Sequence, residues 1–160
     1  CCELNRTLVK RQLGMNRSIL FAVALIVSGG QFNLHPTSAL AQGTPSAPGA
    51  VLYIIEPADG DTVSSPVTVK FGLTGFGVAP ALVEWPNTGH HHVLIDTDLP
   101  PMQRAIPAEN PLYVHFGGGQ TEGQFELTPG QHTLQLLLGD HGHIPHDPPL
   151  KSDQITITVK

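Results

Sequence analysis

Eight of the nine histidines of this 160-residue chain fall after residue 89, and they fall in groups. His90, His91 and His92 are consecutive in "NTGHHHVLID". His115 precedes the glycine run of "HFGGGQTE". His141, His143 and His146 crowd "GDHGHIPHDPP". Neutral imidazole carries a lone pair at physiological pH and is the commonest protein ligand for metals. Imidazole sites suit Zn, Cu(II) or Ni(II). On a β-strand, residues i and i+2 share a face. His90 and His92 therefore point together, and His91 turns to the other face beside Val93 and Ile95. His141 and His143 repeat the i, i+2 spacing. The expected ligands are His90, His92, His141 and His143, with His115 and His146 next. Asp140 and Asp147 flank the last group and Glu122 follows the glycine run. Their carboxylates could orient imidazoles by accepting a ring N–H, or bind directly. His91 reads as a core residue. His132 shares its face with Leu134, Leu136 and Leu138 and reads as structural.

Sulfur chemistry is scarce where the histidines are. Cys1 and Cys2 are the only cysteines, and Met102 is the only methionine after Met15. A soft Cu(I) site is disfavoured, which leaves a copper(II) or zinc ion as the expected cofactor. Nucleophilic catalysis has no visible basis, because no G-x-S-x-G elbow occurs, and the H-E-x-x-H motif of zinc hydrolases is absent as well. A metal hydrolase would need an open coordination position and a general base. Glu122 or Asp140 could be invoked, but nothing requires it. Binding, delivery or storage of a metal ion is therefore favoured over turnover. Two alternatives stay open: a structural or protein-interaction module whose histidines form a hydrogen-bond network, and a small metal-dependent enzyme.

The histidines have to be positioned by strands. "VLYIIEP", "PVTVKFGL", "HHHVLID", "PLYVHF", "GQFELT", "QHTLQLLL" and "QITITV" are short β-type runs, separated by turn chemistry such as Asp59-Gly60. In "PVTVKFGL" the residues Val67, Val69 and Phe71 share one face. In "QITITV", Ile155, Ile157 and Val159 alternate with threonines. No run carries the 3.6-residue period of an amphipathic helix. Seven strands, at about 51–55, 66–73, 91–96, 112–116, 123–127, 132–138 and 154–159, predict an all-β, antiparallel immunoglobulin-like sandwich. In that topology the loops after the second, fourth and sixth strands share one end. All the histidines after residue 89 except His132 then map to that end. Gly117 to Gly119 would let the chain pass close to neighbouring loops, and Trp85 would pack against the core.

The front of the chain reads differently. Met15-Asn16-Arg17-Ser18, the apolar run Ile19 to Val27 and Ala39-Leu40-Ala41 have the order of a signal peptide with an A-x-A cleavage site. The apolar run is about half of the ~20 residues that a membrane span needs. The expected organisation is an upstream extension (1–14), a signal peptide (15–41), a Pro/Gly/Ser linker (42–49) and a histidine-rich β-sandwich domain (50–160), periplasmic or secreted. Four of the eight Lys and Arg, but twelve of the thirteen Asp and Glu, lie beyond residue 41, so the exported part carries a net charge of −8 with histidine neutral. Such a surface repels nucleic acid and anionic lipid and attracts cations. The expected partner is a metal ion, with no nucleic acid and no membrane after cleavage of the signal.

Taken together, "PADGDTVSSPVTVKFGLTGFGVAPA", "NTGHHHVLIDTDLP", "HFGGGQTE", "PGQHTLQLLLGDHGHIPHDPPL" and "ITITV" resemble the bacterial domain-of-unknown-function family DUF4399, from about Val51 to Val159. The resemblance implies an exported, compact single domain. It carries over no activity and no catalytic residues, so function rests on the residues themselves.

Overall fold

The structure is a computed structural model and describes residues 42–160. The upstream extension and signal peptide expected at 1–14 and 15–41 lie outside the described residues. The described chain forms nine strands: β1 (Val51–Glu56), β2 (Thr62–Val63), β3 (Val67–Thr74), β4 (Gly77–Val78), β5 (Thr88–Ile95), β6 (Tyr113–Phe116), β7 (Glu122–Phe125), β8 (Gly130–Gly139) and β9 (Ile155–Val159). Among the described residues there is no helix, and none long and apolar enough to cross a membrane.

The strands divide into two sheets. One has the order β1-β3-β7 and the other β2-β9-β8-β5-β4, with β6 paired to β5. The period-2 alternation expected of a half-buried strand holds where one face meets the core. Val67, Val69 and Phe71 of β3 and Leu52 of β1 turn inward from the first sheet. They meet Val93 and Ile95 of β5, Leu134, Leu136 and Leu138 of β8, and Ile157 and Val159 of β9 in one buried cluster. That cluster joins the two inner faces, so burial of alternating apolar side chains is what holds the sheets together.

Strand β5 departs from simple alternation, because both of its faces are covered. Residues Gly89 to Ile95 are all buried. The inner residues His91, Val93 and Ile95 face the main core. The outer face carries His90, His92 and Leu94, and Leu94 packs with Leu137 of β8 and Ile106 in a second, smaller cluster. Ile106 belongs to the long connection between β5 and β6, which folds back over the outer face. Its N–H donates to the carbonyl of His143 at 2.9 Å, tying that connection to the loop between β8 and β9. The result is a sheet whose outer surface is roofed at the histidines.

Three strand placements differ from the sequence reading. Strand β5 starts at Thr88 instead of 91, because Thr88 and Gly89 pair in parallel with Gly77 and Val78. His90 thus lies within the strand, opposite Gly139 of β8. The two-residue strands β2 and β4 add to the seven expected, being too short to show periodicity. Strand β6 lies against β5, in the six-stranded sheet and not beside β7.

Candidate metal centre

His90 and His92 share the outer face of β5 because two residues separate them. His115 reaches the same face from the neighbouring strand, since β6 pairs antiparallel with β5 and sets His115 directly opposite His92. His143 arrives from the β8–β9 loop. The four rings form one group. The centroids of His90 lie 4.8 Å from His92, 5.0 Å from His115 and 4.9 Å from His143. His115 is 5.1 Å from His92 and 4.8 Å from His143, and His92 is 6.1 Å from His143. The ligand atoms of His90, His92 and His115 all lie within 4.8 Å of one another. Metal–nitrogen bonds of about 2.0–2.1 Å in tetrahedral geometry place ligand nitrogens roughly 3.4 Å apart. Closing the group around an ion thus takes shifts on the order of 1 Å, within reach of side-chain rotation.

The group is dry on one side and open on the other. His90 and His92 are 0% and 2% exposed. His143 is half-buried and His115 is exposed. Both ring nitrogens of His90 and Nδ1 of His92 are buried without a hydrogen-bond partner. Burial, followed by the neighbouring His143 and His115, lowers the pKa of His90 to about 4. Burial, followed by His90 and His115, lowers that of His92 to about 2. His115 is also lowered, by burial and then by His143. His90, His92 and His115 are therefore held in the neutral form, which donates a lone pair to a metal.

The glycine run has a local role here. A Cβ on Gly117 would overlap the His115 ring, so glycine at this position lets the ring approach the turn that follows β6.

Not every histidine joins the group. His91 faces the main core, where Nδ1 donates to the carbonyl of Gln120 (3.1 Å) and the ring packs 5.1 Å from Phe71. Burial lowers its pKa to about 4. His146 is 1% exposed, its Nδ1 lies 2.8 Å from Thr44 Oγ1 and 3.1 Å from the Thr44 carbonyl, and Phe76 meets it edge-on. It fastens residues 42–46 to the β8–β9 loop, and burial lowers its pKa. His141 lines a separate cleft of about 430 Å³ with Trp85, Asn87 and Asp140. His132 places Nδ1 2.7 Å from Asp96 Oδ2 and Nε2 2.8 Å from the Thr128 carbonyl. Two acceptors on one ring require two N–H groups, so the imidazolium is favoured and the pKa is raised, first by Asp96 and then by Thr128.

The carboxylates expected beside the imidazoles sit differently. Asp140 is buried, and its oxygens accept main-chain N–H groups from Gly142, Ile144 and Thr44. Asp147 and Glu122 are exposed. Trp85, expected to pack on the core, is 70% exposed. The signal that would have singled out Asp140 was its place directly after the last residue of β8, where a short acidic side chain folds back on the next N–H groups.

No curated protein and no solved structure matches the chain. The family described as Domain of unknown function (DUF4399) matches residues 69–160, a span that contains β5, β6, β8 and every histidine of the cluster, and the chain belongs to that family.

Proposed function

We propose that this chain is an exported, non-catalytic binding module for a divalent transition metal, Cu(II) or Zn. His90, His92 and His115 are its ligands and His143 closes the fourth side. The observation that carries this reading is the set of buried ring nitrogens without a partner on His90 and His92. Each buried polar atom left unsatisfied costs roughly 1–3 kcal/mol, and natural folds rarely gather several in one place. A metal ion would partner one lone pair on each ring in a single step, the second nitrogen of His90 keeping its N–H. The same observation weighs against a purely structural imidazole network. Such a network would tie the rings to one another or to the backbone, as both nitrogens of His132 are tied, whereas His91 and His146 each hold one nitrogen to the backbone and leave Nε2 buried without a partner.

Three histidines with an open fourth position make a ligand set that zinc enzymes use, whereas four ligands close a site. His143 stands within 4.9 Å, centroid to centroid, of both His90 and His115, where it can supply the fourth ligand. The cleft of about 430 Å³ beside Trp85 is lined by other residues. Binding is therefore favoured over turnover. Export to the periplasm or outside the cell is supported by the signal-peptide pattern at 15–41. The immunoglobulin-like description is supported by the strand partition. Strands β1, β3 and β7 face β9, β8 and β5, as the corresponding strands do in that class, with β6 moved to the β5 edge.

The test is direct. Untagged protein is purified and its metal content measured by elemental analysis, followed by calorimetric titration with Zn and Cu(II). The expected result is one equivalent bound with a Kd tighter than about 10 µM, roughly −7 kcal/mol. A thermal transition that rises with the metal and returns with a chelator should accompany it. Affinity no tighter than that for either ion would overturn the reading.

A further inference from the structure

His143 is the one member of the cluster that no strand holds, and its backbone takes φ +66°, a conformation that residues other than glycine adopt rarely. What keeps it there is a set of hydrogen bonds centred on Asp140, the first residue after β8. Asp140 Oδ1 accepts the N–H of Gly142 at 2.9 Å and that of Ile144 at 3.0 Å. The Asp140 carbonyl accepts the His143 N–H at 2.9 Å, and the Asp140 N–H donates to the Ile144 carbonyl at 2.8 Å. The second carboxylate oxygen accepts the Thr44 N–H at 3.2 Å. Thr44 belongs to a strap at 42–46 that runs along the loop. The Thr44 carbonyl accepts the N–H of Asp147, and the Asp147 carbonyl accepts that of Ser46. The Asp140 side chain is 3% exposed, and its three hydrogen bonds all run to main-chain N–H groups.

We propose that Asp140 is a positioning residue of the metal centre: it acts through the main chain of Gly142 and Ile144, braced by Thr44, to hold His143 as the fourth imidazole. This rests on the metal reading above and deepens it, because it assigns the closed, four-nitrogen form of the site to a residue whose side-chain hydrogen bonds all run to main-chain N–H groups. The physical reason is that the two main-chain hydrogen bonds within the turn and the one from Ile106 to the His143 carbonyl leave the N–H groups of Gly142 and Ile144 to the Asp140 carboxylate, which fixes the left-handed conformation between them. Without the carboxylate, the N–H groups of Gly142 and Ile144 turn to water. The backbone at 143 then relaxes to negative φ, and the ring leaves the other three. β5, which carries His90 and His92, is paired to β8, and β6, which carries His115, is paired to β5, so those three stay.

A mutant cycle on the full chain tests this, with Zn titration for affinity and the visible spectrum of the Co(II) form for the number of coordinating groups. Asp140→Ala is expected to weaken Zn binding about 10- to 100-fold, the range typical when a residue that orients a ligand is removed. It should change the Co(II) spectrum as His143→Ala does. The double variant should bind Zn no more weakly than His143→Ala alone, since Asp140 acts through His143. Asp140→Asn, which keeps an oxygen for the N–H groups of Gly142 and Ile144, should retain the wild-type spectrum. Should Asp140→Ala fail to fold, Asp140→Ser carries the same cycle. The proposal is overturned if the wild type binds Zn and Asp140→Ala stays within about twofold of it, or if the two losses multiply in the double variant. A wild-type chain that takes no metal overturns the metal reading itself, and this proposal with it.

Discussion

His92 of β5 and His115 of β6 face each other across the strand pair, in register, with their rings 5.1 Å apart. One is buried and the other is exposed. This asymmetry separates folding from binding at a single pair. His115→Ala removes an exposed ring, and such substitutions usually change stability within about 0.5 kcal/mol. The metal-free variant should melt as the wild type does. Its affinity for Zn should fall at least tenfold, equivalent to about 1.4 kcal/mol. Differential scanning fluorimetry with and without metal, beside calorimetry, reads both. Unchanged affinity would remove His115 from the ligand set.

Acid should destabilise the metal-free protein well above the pH at which carboxylates titrate. Burial holds His90 and His91 at about 4, and holds His92, whose neighbours add to the effect, at about 2. In the unfolded chain the same rings take up protons near 6.5. Between these values the unfolded state binds more protons than the folded one, so stability falls as pH drops from about 6.5 toward 4. Each ring contributes up to about 1.4 kcal/mol per pH unit. His132 has the opposite sign. Its raised pKa stabilises the fold below about 6.5, and that contribution disappears as pH rises through the folded value. Urea midpoints of the metal-free protein from pH 4 to 8 check this. A flat profile between 6.5 and 4.5 would contradict the burial of neutral rings.

Gly117→Ala should injure the metal centre while sparing the fold. The added Cβ falls on the His115 ring, and His115 is exposed and able to move away. The expected outcome is a Zn affinity reduced toward that of His115→Ala, with the melting transition of the metal-free protein shifted by no more than a few degrees. Wild-type affinity in this variant would show that His115 does not need the place it occupies beside Gly117.

The left-handed backbone of His143 gives a further separation. Glycine reaches φ +66° without the steric penalty that a Cβ brings. His143→Gly should therefore be more stable than His143→Ala in the metal-free state, by on the order of 1 kcal/mol, while both lose the fourth imidazole and bind Zn equally weakly. Chemical denaturation of the two variants measures the difference. Equal stabilities would mean that the loop relaxes once the ring is gone.

Much of the fold is legible in the sequence alone. Val67, Val69 and Phe71, and Ile155, Ile157 and Val159, alternate as half-buried strands must, and they line the joint core. The split of the triple histidine into an outer pair and an inner His91 is equally local, because successive side chains on a strand point to opposite faces. The loops were less legible. His141 and His143 have the same spacing as His90 and His92, but spacing has that meaning only on a strand. Their loop turns left-handed at His143, which places that ring among the strand histidines, whereas His141 faces the cleft beside Trp85. Asp140 and Asp147 look equivalent in sequence, flanking the same loop. One is buried under main-chain N–H groups and the other is exposed.

The sequence by itself determined the class of the fold, the neutral imidazole chemistry and the shared face of His90 and His92. Those follow from composition and from the two-residue period of extended backbone, which any strand imposes on its own residues. The tertiary structure decided which other histidines meet that face. His115 arrives because β6 hydrogen-bonds to β5, and His143 arrives because Asp140 and Ile106 hold its loop over the outer surface of the sheet. The β5–β6 pairing and the hydrogen bonds of Ile106 and Thr44 to the loop join residues far apart in the chain, and no local pattern encodes where they form, whereas the turn that Asp140 folds back on is local.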